Sequence, residues 1–306
     1  MTKNIHAEII GFDSGWGCRD YGCEDGPSAL EADRILYALR DKGVQATWRG
    51  ELGLKRLENH ATCNTKEKTL PVLLEGLHRL SSCVRQAVEE NRVPVVIGGD
   101  HSSAIGTWSG AAIGAKACEK FGLIWLDAHL DSHTYATSST GKWGGWWHGQ
   151  PVSAITGNGL PALQNVGGTM RKISPAHFSI IGAHSFEAAE VEYDLVNGIR
   201  VYTLEEVEKR GFRTVFAEAL ARATKGTSAF GLTVDLDCFQ GLDAPGVGTP
   251  EGTGLIAAEV LPIIQGIAHK AGFKALEIAE FNPHNDVNGK TRLLIEKLIA
   301  GAFTKD

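Results

Sequence analysis

Short apolar runs alternate with stretches of helical periodicity along most of the chain. Eight of the runs have the length and composition of strands: 6–12 (HAEIIGF), 44–50 (VQATWRG), 93–99 (VPVVIGG), 121–127 (FGLIWLD), 177–183 (HFSIIGA), 199–204 (IRVYTL), 230–237 (FGLTVDLD) and 273–281 (FKALEIAEF). Between them, helices are predicted over 27–43, with Pro27 in the first turn, over 72–91 and over 104–120. This βαβ rhythm predicts an α/β fold, a three-layer α/β/α sandwich with a mostly parallel central sheet. The rhythm breaks between Ser132 and Gly168, where Gly, Ser, Thr and Trp replace the periodic pattern. A structured loop of that length in a compact domain is usually functional, so it is read as facing the substrate.

Composition narrows the picture. The 306 residues are read as one domain, 1–306, and 37 glycines fit many tight turns between strands and helices. A net charge of −6 without a basic stripe gives no nucleic acid or anionic membrane as partner and leaves a small molecule. No signal peptide or membrane-spanning run is found, so cytoplasm is the default location. Six scattered cysteines without a Cys-x-x-Cys are read as reduced thiols, with Cys238, beside Asp237, the one to watch.

Four apolar strands end in residues of metal-ligand type. VPVVIGGDHSS delivers Asp100 and His101; LIWLDAHLDSH delivers Asp127, His129 and Asp131; LTVDLDCF delivers Asp235 and Asp237; LEIAEFNP delivers Glu280. Acids at every second position after a buried strand repel one another unless a cation sits among them. In open α/β sheets ligands bind beyond the carboxyl ends of the strands, so the four clusters should meet in one crevice. His101, Asp127, His129, Asp131, Asp235 and Asp237 supply two imidazoles and four carboxylates, a set that suits two divalent ions and favours Mn²⁺ over sulfur-loving metals.

These motifs resemble the arginase (ureohydrolase) family: GGDHS at 98–102, DAHxD at 127–131 and DxD at 235–237, with GCEDGP (22–27), HGQP (148–151), GTP (248–250) and EFNP (280–283) in the same order. The resemblance implies one manganese held by His101, Asp127, Asp131 and Asp235, and a second by Asp127, His129, Asp235 and Asp237. It implies that hydroxide bridging the two ions attacks a guanidinium or amidine carbon, and that the chain assembles as a homotrimer or homohexamer. Asp131 is then expected to accept a proton from the nucleophile, Glu280 to grip the guanidinium, Thr249 to contact it, and His148 to shuttle a proton or protonate the leaving amine.

At the amino-acid end of the substrate the match weakens. His133, Thr140 and Lys142 stand where arginases hold the substrate carboxylate, and WGGW (143–146) looks like an insertion in that loop. Glu187 and Glu190 stand where the family contacts the substrate ammonium. The tryptophans Trp143, Trp146 and Trp147 either line a pocket, cover a subunit contact or pack. L-Arginine is the first substrate expected, with formiminoglutamate and guanidino acids such as guanidinobutyrate as alternatives. Agmatine has no carboxylate for Lys142 to pair with, and is less favoured. Zinc deacetylases share the architecture but lack counterparts of His101 and of the third acid in Asp-x-His-x-Asp. A non-catalytic binding subunit would be expected to have lost ligands, and none is missing here.

Overall fold

The computed structural model describes residues 5–19, 22–30, 32–55, 65–138, 145–168 and 171–304. The eight predicted runs become eight strands: β1 (His6–Gly11), β2 (Gln45–Glu51), β3 (Val93–Ile97), β4 (Phe121–Leu126), β5 (Phe178–Ala183), β6 (Arg200–Thr203), β7 (Ala229–Asp235) and β8 (Phe273–Ala279). They form one sheet in the order β2-β1-β3-β8-β7-β4-β5-β6, and every neighbouring pair is parallel.

Alternation along each strand divides the core between two faces. Ile9, Val95, Ile97, Ile124, Leu126, Val234 and Ile278 pack with helices Ala32–Asp41, Phe212–Thr224, Ala257–Ile264 and Lys290–Phe303. Ile10, Val96, Leu123, Trp125 and Ile180 face the other way, against helices Lys66–Glu89 and Ser103–Gly114. The central runs read as continuous apolar sequence because both faces are covered. Each fully buried Val, Leu or Ile side chain contributes about 1.5–3 kcal/mol.

All three predicted helices differ from expectation. The one predicted over 72–91 spans Lys66–Glu89, starting six residues earlier with Pro71 inside it. The segment predicted over 27–43 divides into a short turn, Gly26–Ala29, carrying Pro27 at its start, and the helix Ala32–Asp41. The one predicted over 104–120 spans Ser103–Gly114, because Lys116 adopts a left-handed conformation (φ 52°) and the chain turns into β4. Among its described residues, the segment expected to be a long structured loop holds only short helical turns, including Tyr135–Ser138, Trp147–Gly149 and Pro151–Ile155.

The strand order positions the chemistry. β3, β8, β7 and β4 are consecutive neighbours at the middle of the sheet, and, being parallel, they release their carboxyl ends at one edge. In that register Asp235 lies beside Ala279 and Leu126 beside Val234. Gly98 N–H still bonds Ile278 O at 2.7 Å as the chain leaves β3. His101, Glu280, Asp235 and Asp127 therefore emerge side by side from segments far apart in sequence.

Candidate metal centre and active site

Two overlapping groups that could hold metal ions form at this edge. His101, Asp127, Asp131 and Asp235 bring one ligand atom each within 4.8 Å of one another, and so do Asp127, His129 and Asp237. Buried His101 Nδ1 lies 3.2 Å from Asp127 Oδ2, 3.1 Å from Asp131 Oδ2 and 2.9 Å from Asp235 Oδ2. His129 Nδ1 lies 3.5 Å from Asp127 Oδ1 and 3.2 Å from Asp237 Oδ2. Asp127 thus turns one oxygen to each group, and it is the residue they share. Asp235 joins the first group only; its Oδ1 accepts the Asp237 N–H at 3.0 Å.

The electrostatics favour positive charge among these groups. Burial pushes the Asp235 carboxyl well above the usual carboxylate range, and the charges of Asp237 and Asp127 push it further. Burial, and then the charge of Asp127, raise Asp131 to about 7. For Asp127 burial also acts upward, but hydrogen bonds and charge from His101 and His129 outweigh it and hold the group well below its ordinary value. Such mutual opposition among buried acids is relieved by positive charge placed between them. His101 Nδ1 is buried within 3.2 Å of three carboxylate oxygens yet is well aligned for a hydrogen bond to none of them, a position that suits a nitrogen whose lone pair is committed to a ligand. The donor set of oxygens and imidazoles with no thiolate fits hard divalent ions.

Neighbouring side chains orient these ligands. The Trp125 indole N–H donates to Asp127 Oδ2 at 2.7 Å, and its ring stacks on the His101 imidazole with centroids 4.3 Å apart. His101 Nε2 lies 3.4 Å from Thr233 Oγ1, which donates to Glu277 Oε2 at 2.8 Å. Glu277 Oε1 in turn accepts from Ser103 and Thr107. His129 Nε2 lies 3.3 Å from Glu251 Oε1. Asp131 (φ 50°) and Glu280 (φ 65°) both hold the left-handed backbone conformation, at a cost of about 1–3 kcal/mol each. Asp131 is fixed by Val152 N–H bonding its carbonyl at 3.0 Å, and Glu280 by its own N–H bonding Gly99 O at 2.9 Å.

A cavity of about 540 Å³ opens over the cluster. Glu280, His148 and Thr249 line it together with His101, His129, Asp131, Asp235 and Asp237. Glu280 is 4% exposed, and its Oε1 accepts the His101 N–H at 2.8 Å while its Oε2 accepts the Cys23 thiol at 3.1 Å. Burial, followed by the charge of Asp100, raises its carboxyl to about 7. His148 Nδ1 lies 3.0 Å from Gly17 O, an acceptor, so Nδ1 carries the proton and Nε2 stays available. The Thr249 hydroxyl donates to Asp237 Oδ2 at 3.0 Å, so it also braces a ligand.

His133, Glu187 and Glu190 lie at another part of the same wall. His133 Nε2 is 3.5 Å from Glu190 Oε2 and 3.7 Å from Glu187 Oε2. Glu190 also accepts backbone N–H groups from Glu187 (3.0 Å) and Ser132 (3.3 Å), which ties it to the start of helix Ala188–Asn197. Thr140, Lys142 and Trp143 fall outside the described residues. Trp146 lines the cavity, whereas Trp147 is buried in the core and donates to Lys66 O at 2.8 Å. Cys238 is fully buried, and burial and its acidic neighbours hold the thiol protonated. Cys23, Cys83 and Cys238 carry free thiols, as does Cys118.

Sequence reasoning missed Cys23, Trp125, Thr233, Glu251 and Glu277 as parts of the site. Glu277 left a trace, as a charged residue inside an otherwise apolar central strand. Cys23 left another, inside a motif, GCEDGP, that had no assigned task.

An all-parallel α/β sandwich with an acid- and imidazole-rich cluster at the carboxyl edge of its sheet defines a class of enzyme built around hard cations. Known proteins place it more narrowly. The sequence profile of the Arginase family matches residues 6–304. The chain is 34% identical to the arginase of Bacillus caldovelox over 296 residues, covering 96% of this chain and 97% of that one. It is 34% identical to the arginase of Bacillus subtilis (strain 168) over 304 residues, covering 98% of each. The crystal structure of Bacillus subtilis arginase superposes with a TM-score of 0.86 at 31% identity, over 98% of this chain and 99% of that one. The chain belongs to the arginase family of hydrolases.

Proposed function

We propose that the protein hydrolyses L-arginine to L-ornithine and urea, using two Mn²⁺ ions per chain. One ion would be held by His101, Asp127, Asp131 and Asp235, the other by Asp127, His129, Asp235 and Asp237. Bound there, such ions supply Lewis acidity that brings the pKa of water close to neutrality.

The protein's own groups do the rest. Glu280 orients the planar guanidinium, which a carboxylate can grip through two parallel N–H···O bonds. Asp131 accepts the proton that the attacking water gives up. His148, with Nδ1 engaged by Gly17 O, takes a proton from solvent on Nε2 and passes it to the departing amine. Carbon–nitrogen cleavage then leaves urea and the free amine of ornithine. Thr249, whose hydroxyl also donates to Asp237, contacts the guanidinium. Glu187 and Glu190 receive the substrate ammonium, and His133, Thr140 and Lys142 its carboxylate.

The observation that carries this reading is Glu280: a buried carboxylate on the cavity wall, held by two neutral donors and, among the described residues, paired with no cation. A cationic substrate completes it. Purified protein loaded with Mn²⁺ should release urea from L-arginine faster than from agmatine or guanidinobutyrate, and release little formamide from formiminoglutamate. No urea from any guanidine would overturn the reading.

The chain, 1–306, is read as one cytoplasmic domain working as a homotrimer or homohexamer. Exposed Leu195 and Val196 offer apolar surface that assembly would cover. Light scattering returning a monomer mass would remove that part. No helix among the described residues is long and apolar enough to cross a membrane.

A further inference from the structure

Three motifs that are far apart in sequence converge on one carboxylate. Gly22 (φ 128°) has no room for a Cβ, because that position is filled by the Asn282 side chain. A Cβ on Gly26 would lie 2.5 Å from Phe281 O, and one on Gly248 would lie 2.6 Å from Glu280 Oε2 and 2.9 Å from Cys23 Sγ. GCEDGP, the glycine of GTP and EFNP are therefore packed against each other, with Gly22, Gly26 and Gly248 at three of the close approaches. At the centre of the contact is the Cys23 thiol, in the short turn Cys23–Asp25, donating to Glu280 Oε2 at 3.1 Å.

We infer that Cys23 is a positioning residue: its S–H, with the His101 N–H on the other oxygen, fixes the Glu280 carboxylate in the orientation that receives the guanidinium end of the substrate. The inference rests on the reading of Glu280 as the guanidinium partner. A thiol suits the task for a chemical reason. It is a weak donor, so it holds Oε2 in place while leaving the oxygen's charge largely available to a cation. An ammonium or guanidinium side chain at the same point would neutralise the carboxylate and compete with substrate. The thiol is also small and apolar enough to be buried without further partners. Burial and the adjacent carboxylate keep it protonated, and only that form can donate.

The test compares wild type, Cys23→Val and Cys23→Ser, each loaded with Mn²⁺, on L-arginine and on agmatine. Valine removes the donor at similar volume; serine restores a donor. Cys23→Val should raise KM about tenfold for both substrates with kcat within about twofold, because the lost contact serves ground state and transition state alike. Cys23→Ser should return KM to within about threefold of wild type, with metal content and melting temperature unchanged throughout. Cys23→Ala is measured alongside in case valine crowds Gly248. An unchanged KM in the valine and alanine variants, or a raised KM that serine leaves uncorrected, overturns the inference and assigns Cys23 to packing. Glu280→Gln separates this from the underlying reading. If it abolishes urea release while Cys23→Val is silent, only the role of Cys23 falls; if it leaves urea release intact, the reading of Glu280 falls too.

Discussion

The indole N–H of Trp125 donates to Asp127 Oδ2 at 2.7 Å, two residues along the same strand end. Because the same ring stacks on His101, one buried tryptophan orients two members of the acid and imidazole cluster. Partners of this kind fix a ligand's direction and tune its basicity.

Trp125→Phe should keep the core filled and the fold intact while weakening Mn²⁺ binding by about 10–100-fold. Titrating metal-free protein with Mn²⁺ measures this. Wild-type affinity in the variant would reduce the indole to a packing group.

Asp127→Ala should remove metal retention and activity together, since this carboxylate faces both ligand groups. His148→Ala should behave differently, lowering turnover by about 10²–10⁴-fold with metal content unchanged. Elemental analysis beside the urea assay separates the two. Metal loss in the His148 variant would take away its assigned role in proton transfer.

Asp194 gives a prediction about pH and stability. It is 2% exposed, with the Ser132 hydroxyl nearby but no well-formed hydrogen bond to either carboxylate oxygen. Burial, and then the charge of Glu190, raise it to about 8. A carboxyl whose folded pKa lies above its unfolded value binds its proton more tightly when folded. The stabilisation is complete below about pH 4 and is lost as pH rises toward 8. Asp194→Asn should flatten the fall in stability across that window and gain about 1–3 kcal/mol at pH 8. Urea denaturation at pH 5 and pH 8 checks it; equal slopes in both proteins would mean Asp194 ionises freely.

Gly99→Ala should damage the metal centre without touching a ligand. A Cβ at this position would overlap the backbone of Ser14, and Gly99 O is the acceptor that fixes Glu280 N–H. Destabilisation of about 1–3 kcal/mol is expected, with weakened Mn²⁺ binding. A variant of wild-type stability that binds metal normally would contradict the contact.

The parts of this architecture that could be read from sequence are those set by local rules. The eight strands were legible because a strand buried on both faces is an unbroken apolar run, as in VPVVI. The acid and imidazole cluster was legible because Asp127, His129 and Asp131 follow such a run at every second position. Helix ends were not, since the stop at Gly114 depends on how Lys116 turns toward β4. Nor was the support around His101: Thr233 and Glu277 are register partners on β7 and β8, a relation that exists only once the sheet is assembled. Cys23 was hidden for the same reason, its partner lying more than two hundred residues away.

β8 is the last of the eight strands in chain order, yet it is inserted between β3 and β7. Until it arrives, β2-β1-β3 and β7-β4-β5-β6 are two separate fragments, each with an unpaired edge open to wrong partners. Closing the seam between these two incomplete ribbons completes the sheet and delivers Glu280 in one event. Chaperone dependence and susceptibility to misassembly should be concentrated at that final step.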